Sequence, residues 1–487
     1  MHRSSSPARL RVINEMPRRS GARYILYWMT AFRRLSWNPA LDRAIECARS
    51  SRLPLVIFEP LRLDYPQASL RHHAFAIDGM REHREALDAS PVGYLPWVEP
   101  RPGAGKGLLA HLARDAAVVV TDDAPWFFFP RMLEAAGRTL DCRLEAIDGN
   151  GIYPVHHANR TFTTAASFRR HLQAVLPGIL GESPDPLPDF ASLVPFEGFS
   201  EPPRGEWAPA DALLDADRAG LSRLDLDPEV PALRFSGGTA AARRRLDRFL
   251  SARLPRYHEG RNDPDEESGS RLSPYLHWGH ISSWEILHRV TEADGWRPTR
   301  LGNRPTGRRE GWWGLSPGAE AFLDQLITWR ELGFNYAARE GDPGRWESLP
   351  DWARTTLMEH EADPRPHRYT LAEFEAAATH DELWNAAQRE LRTEGTIHTY
   401  LRMLWGKKIL EWSDTPREAL EIMIQLNNRW AIDGRDPNSY SGIMWVFGRY
   451  DRGWPERPIF GKVRSMTSAS TRRKVRVAVK SGTVLDE

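Results

Sequence analysis

Cysteine is nearly missing from this chain: 487 residues hold two, Cys47 and Cys142. That excludes a disulfide scaffold, suits a reducing compartment and leads to the expectation of a cytoplasmic protein. Neither cysteine sits in a CxxC or Cys/His cluster, so no metal site is expected. Apolar runs fall short of the roughly 18 residues a membrane span needs, so no membrane partner is expected. Net charge is also close to absent: 66 Lys+Arg against 65 Asp+Glu leaves +1. The chain as a whole is no polycation, and any nucleic-acid contact has to come from a local patch. No GxGxxG follows the first predicted strand, which removes support for a Rossmann dinucleotide site. No internal repeat is found.

Aromatic residues are plentiful by contrast, with 19 tryptophans. Length allows two domains with real cores. Residues 1–20 carry Arg3, Arg9, Arg11, Arg18 and Arg19 but no apolar h-region. They read as a flexible basic tail, with a transit-like segment as the alternative, and not as a secretory signal. In 21–180, the runs Tyr24–Trp28, Leu55–Phe58, Val92–Leu95, Ala116–Val120 and Leu144–Ile147 read as buried strands. Asn38-Pro39 opens a helix between the first two, with Asn as N-cap and Pro at its first position. This βαβ pattern predicts an α/β domain with a parallel, Rossmann-like sheet. Seven prolines between 184 and 209 mark 181–214 as an interdomain linker. Helical periodicity then dominates 215–465, including one long helix over Ala319–Ala337, and 466–487 reads as a basic C-terminal tail.

Trp384–Trp412 is the most informative stretch. Trp384 and Gln388 lie in one predicted helix, and Arg402, Met403, Trp405, Lys407, Lys408 and Trp412 in the next. Trp405 and Trp412 are seven apart and share a helical face. A single tryptophan at such a position is ordinarily core. A row of oxidisable indoles is also a path for electrons to a redox cofactor.

Four further motifs keep company with it: Ser270–Gly279 (SRLSPYLHWG), Trp329–Leu332 (WREL), Asp433–Asn438 (DGRDPN) and Glu456–Lys462 (ERPIFGK). Five motifs in order are far more specific than one short pattern. Together they resemble the photolyase/cryptochrome flavoproteins, most closely the class II cyclobutane pyrimidine dimer photolyases. The resemblance is strong from about Tyr257 to Arg464 and weaker through Arg23–Leu180. It implies the photolyase/cryptochrome fold, an all-α C-terminal domain that binds FAD, and an α/β domain that can carry a deazaflavin-type antenna chromophore. The implied partner is UV-damaged double-stranded DNA, met by a monomer.

The resemblance also assigns residues. Ser270, Arg271, Leu272 and Ser273 match the segment that cradles the FAD pyrophosphate, a role that hydroxyls and free N–H groups at a helix start suit. Tyr257 matches a phosphate-contacting tyrosine, though ordinary packing also accounts for it. Arg402 and Asp433 match the pair beside the flavin ring, and Asn427 the amide near its N5. Gln388 and Asp436 are further candidates for FAD contact. Trp405, Trp384 and Trp412 occupy the electron path, Trp412 as a branch toward the surface. Trp329 and Trp445 match the stacking walls of the lesion pocket, with Met403 beside the lesion. Asp451 and Arg452 match a pair near flavin and DNA, in a loop one residue shorter than usual. Lys407 and Lys408 read as a helix face or DNA-phosphate contacts.

One position departs from the family. Its motif has Glu before Leu-Ile, one turn before the tryptophan, and here Gln325 stands there. An amide donates an N–H but delivers no proton. The expectation is light-driven repair of cyclobutane pyrimidine dimers by a lyase, with a cryptochrome-like blue-light photoreceptor whose repair is weakened or lost as the alternative. A shift of Asp324 into the role of Gln325 is a further option, against which its different helical face counts.

Overall fold

A computed structural model describes residues 7–264 and 266–474 of the chain. The predicted apolar runs form strands β2 (Tyr24–Trp28), β3 (Leu55–Leu61), β4 (Gly93–Val98), β5 (Ala116–Asp122) and β6 (Arg143–Ile147), preceded by β1 (Leu10–Val12). They make one sheet in the order β1-β6-β5-β2-β3-β4. Strands β2 to β6 pair in parallel, and β1 runs antiparallel to β6. Every residue of β2 and β5 is buried, as strands covered on both faces must be. The helix Pro39–Ser51 starts as its sequence directs: the Asn38 side chain accepts from the Ala40 and Leu41 N–H groups, and Pro39 fills the first position.

The described part of the N-terminal stretch is not a tail. β1 pairs Leu10 with Ile147 and Val12 with Glu145. Arg9 is 3% exposed, and its guanidinium donates to the carbonyls of Asp148, Gly151 and Ile152. The open edge of β6 needs backbone partners, and a short strand supplies them. Arginine density reads as charge and does not reveal this pairing. The proline-rich segment is likewise packed: Phe196, Phe199 and Trp207 lie against the core of the sheet, and the Trp207 indole N–H donates to the Ala104 carbonyl at 2.9 Å.

At the reversal of strand order between β2 and β5, the Asp122 carboxylate accepts N–H groups of Thr30, Ala31 and Phe32 at 2.8, 2.7 and 2.9 Å. Doubly wound sheets commonly bind a phosphate at this point. Here a side chain of the chain itself fills the N–H cradle.

Compactness divides the chain into two interleaved units. One comprises Met1–Asn159, Val175–Leu246 and Leu272–Glu292, and contains the sheet. The other comprises Arg160–Ala174, Asp247–Arg271 and Ala293–Glu487, and is helical where described. The contiguous spans drawn from the sequence are a coarser cut in chain order. In the helical unit, the single helix expected over Ala319–Ala337 is three pieces: an α-helix Pro317–Leu323, a π-helical segment Asp324–Trp329 and an α-helix Arg330–Glu340. The stretch read as a C-terminal tail begins with packed residues. Met466 joins the core of Leu383, Tyr400 and Leu404, and Ser468–Lys474 is helical. Arg476 and Lys480 lie outside the described residues. No helix among the described residues is long and apolar enough to cross a membrane.

Candidate active site

The helix Thr399–Trp412 is the spine of the site, because its successive turns carry different chemistry. Trp405 and Trp412 are 2% and 1% exposed. The Trp405 indole N–H donates to Gln388 Oε1 at 2.8 Å. Trp384, on the helix Glu382–Glu394, donates its indole N–H to the Trp405 carbonyl at 3.0 Å and meets Trp412 edge-on, with ring centroids 6.1 Å apart. The three tryptophans therefore form a connected array with Trp384 in the middle. Trp412 is not at the surface itself. Its ring is enclosed by His380 at 4.9 Å and Tyr369 at 5.7 Å between centroids. Tyr369 is half-buried, His380 is exposed, and the Tyr369 hydroxyl and His380 Nδ1 are hydrogen-bonded at 2.7 Å. Sequence reasoning missed both, since they lie in irregular chain with no periodic signal.

One turn before Trp405, Arg402 donates to Asn427 Oδ1 at 2.9 Å and lies 3.7 Å from Asp433. Asn427 also accepts from the Ser439 hydroxyl at 3.1 Å and donates to the Gly434 carbonyl at 2.5 Å. Arg402, Asn427 and Asp433 are thus brought together as expected. Gln388 is fully buried, with its amide on Trp405 and the Glu375 carbonyl. Asp436 caps the helix Pro437–Val446 by accepting the Asn438 N–H at 2.8 Å. The Asp433 Oδ1 atom, 3.7 Å from the Arg402 guanidinium, is buried and accepts no hydrogen bond among the described residues. A buried acceptor without a donor is costly, and beside a guanidinium it suits a ligand that brings an N–H or O–H.

Ser270 and Arg271 close one unit, and Leu272 and Ser273 open the next stretch of the other. Arg271 has φ = 52°, a left-handed conformation seldom held by a non-glycine residue. The helix that follows, Ser273–His277, has no side-chain cap at its start. Tyr257 packs edge-on against Phe249 and Phe322 at 5.7 and 5.5 Å, and burial pushes its hydroxyl up to about 12. Glu390 was not foreseen. It is half-buried near Arg271 and Arg402, and burial pushes its carboxyl up to about 7.

Two glycines set the packing on the other side. A Cβ at Gly333 would lie 2.9 Å from Asn438 Cα, and one at Gly406 would lie 2.6 Å from Val446 Cγ2. Their absence of side chains lets the helices Arg330–Glu340 and Thr399–Trp412 approach the helix that carries Trp445. Trp329 ends the π-helical segment, Gln325 is its second residue, and both are half-buried. No hydrogen bond engages the Gln325 side chain among the described residues. Asp324 does not stand in for it: its carboxylate is 3% exposed and gripped by Arg169, with Nε–Oδ1 2.7 Å and Nη2–Oδ2 3.1 Å. Trp445 and Met403 are half-buried. Asp451 accepts from the Arg452 N–H and the Trp454 indole, and Arg452 is exposed. Lys407 and Lys408 are not on a solvent-facing stripe: they are 0% and 7% exposed. Lys407 donates to the Val446 carbonyl of another helix and Lys408 pairs with Glu411 on its own, which a charge pattern alone does not reveal.

No family profile matches the chain. Over 475 residues it is 37% identical to a deoxyribodipyrimidine photo-lyase of Methanothermobacter thermautotrophicus, covering 96% of each. It is 32% identical to the deoxyribodipyrimidine photo-lyase of Arabidopsis thaliana, covering 97% of this chain and 92% of that one. The chain belongs to the photolyase/cryptochrome family. It is an enzyme of the deoxyribodipyrimidine photo-lyase kind, a DNA-repair flavoprotein lyase for which the family implies FAD. The fold agrees with solved structures. A class III photolyase of Agrobacterium tumefaciens superposes with a TM-score of 0.67 at 16% identity, covering 94% of this chain and 85% of that one. A cryptochrome of Synechocystis superposes at 0.63 and 15% identity, covering 93% and 86%. The donor set around Arg402, Asp433 and Asn427, with its unmet buried acceptor, fits a flavin ring.

Proposed function

We propose that the chain is a class II-type photolyase that splits cyclobutane pyrimidine dimers in UV-damaged double-stranded DNA, using light. FAD, when bound, would supply the photochemistry as the light-excited electron donor to the lesion. The residues do the rest. Ser270, Arg271, Leu272, Ser273 and Tyr257 hold the pyrophosphate. Arg402 favours negative charge at the ring, and Asp433 and Asn427 orient it by hydrogen bonds. Trp405, Trp384 and Trp412 relay electrons inward from donors at the surface. Trp329 and Trp445 stack the flipped lesion, Met403 borders it, and Asp451 and Arg452 line the DNA side. Gln325 turns an amide N–H toward a lesion carbonyl. The protein works as a cytoplasmic monomer, and its α/β unit offers a place for a deazaflavin-type antenna.

The observation that supports this best is the helix Thr399–Trp412. Within one turn it carries Arg402 paired to Asn427 and Asp433, then Met403, then Trp405 at the head of the indole array. The test is the quantum yield of dimer splitting with fully reduced flavin, in light and dark, for wild type and Gln325→Glu. Light-dependent splitting that rises with Glu is expected, because a carboxylic acid donates more strongly as negative charge develops on the lesion. No splitting by either protein would move the assignment to the photoreceptor reading.

A further inference from the structure

Lys407 lies beside the Trp445 ring and has no part in the chemistry proposed for the site. Its side chain is fully buried, and Nζ donates to the Val446 carbonyl at 2.5 Å. Val446 ends the helix that carries Trp445, so the amine also meets the negative end of that helix. The same Nζ lies 5.1 Å from the Trp445 ring centroid, and Arg464 lies 5.7 Å from it. No ion pair of Lys407 is found among the described residues. Its neighbour shows the contrast: Lys408 lies 5.1 Å over Trp412 but is neutralised by Glu411 at 2.7 Å. A buried ammonium with a single carbonyl partner is costly, and such groups concentrate at functional sites.

We infer that Lys407 is a positioning residue for Trp445 whose positive charge is recruited when an anionic ligand, the phosphodiester-linked lesion, settles on the open side of that ring. The inference rests on reading Trp445 as a lesion wall. The charged groups facing Lys407 are Asp451, which favours its protonated form, and Arg464, which opposes it. Burial dominates both and holds the amine down at about 7. Near neutrality the group is therefore divided between amine and ammonium. Negative charge arriving near Trp445 shifts it toward ammonium, taking one proton from the buffer. By linkage, binding tightens as pH falls through this range.

The test uses the FAD-loaded enzyme in the dark with a duplex bearing one thymine dimer, and the same duplex intact. Affinity is measured from pH 6 to 8.5, and proton uptake by calorimetry in two buffers of different ionisation enthalpy. Wild type should bind the dimer duplex about three- to tenfold tighter at the acid end, with uptake of a fraction of a proton near pH 7.5. Lys407→Met should bind weakly, and Lys407→Arg tightly, each without that pH dependence or uptake. The arginine variant decides the matter if the methionine variant does not fold. Wild type lacking uptake, or either variant keeping the wild-type pH profile, overturns the inference. Lesion preference with a flat pH profile overturns it alone. Equal affinity for both duplexes at every pH overturns the lesion reading and the inference together.

Discussion

The tryptophans show how one residue type serves two ends. Trp384 and Trp405 are core by burial, yet each indole N–H has a specific partner, the Trp405 carbonyl and Gln388 Oε1. Those bonds fix ring orientation in a way that packing alone would not. Trp405→Phe keeps most of the volume and removes both the oxidisable ring and the donor to Gln388. Photoreduction of bound flavin should slow more than tenfold, equivalent to at least about 1.4 kcal/mol of barrier. Stability should fall by about 1–3 kcal/mol, because the buried Gln388 oxygen loses its donor. Flash photolysis and urea unfolding read the two effects separately. Equal photoreduction rates in wild type and variant, with the same external donor, would exclude this path.

At the scale of elements, the π-helical segment Asp324–Trp329 is where the helical pattern misleads. Spacing alone made Gln325 and Trp329 neighbours on an α-helix. The wider π turn rotates successive side chains differently, and such insertions recur at functional sites. The segment is held by the buried Arg169–Asp324 pair, whose partners are 155 positions apart in the chain. Asp324→Asn should cost about 3–5 kcal/mol in urea unfolding by leaving the Arg169 charge unpaired. A loss below about 1 kcal/mol would mean that the pair does not hold the segment. Strands β2 to β6, the capped helix at Asn38 and the helices Glu382–Glu394 and Thr399–Trp412 were legible in the sequence because each follows a local rule of period or cap. What was not legible depends on distant partners: β1 on the β6 edge, Asp122 in the N–H cradle, burial of Lys407 and Lys408, and Glu390 beside two arginines. The family motifs named Arg402, Asn427 and Asp433. Only coordinates show that they touch one another and leave Asp433 Oδ1 unmet.

For the whole molecule, near-neutral net charge gives pH and salt separate levers. Burial, helped by His83 and Arg33, holds the His280 ring down at about 3, while the unfolded chain titrates near 6.5. The folded state then binds fewer protons than the unfolded one, so stability falls as pH drops below about 6.5. At pH 5 this one group should account for a loss of about 2 kcal/mol, seen as an earlier urea transition. His280→Gln should flatten the slope, and an unchanged slope would clear His280 of the effect. Salt should act on the proposed DNA binding through a local patch. The stretch Asp451–Arg464 carries Arg452, Arg457, Lys462 and Arg464 against Asp451 and Glu456, with Trp454 exposed beside Arg464. If about four phosphates are neutralised, affinity should drop about a hundredfold between 50 and 200 mM salt. This part of binding carries no lesion information. Lesion preference should come from the two half-buried indoles, so Trp329→Ala or Trp445→Ala should each cost about 1–3 kcal/mol on dimer-bearing duplex and leave the salt slope alone. Arg452→Ala with Lys462→Ala should do the reverse, lowering the slope by about two and sparing the preference. Titrations of intact and dimer-bearing duplex at several salt concentrations measure both quantities at once. If the tryptophan variants change the slope and the basic variants change the preference, the division of labour between stacking walls and phosphate patch is wrong.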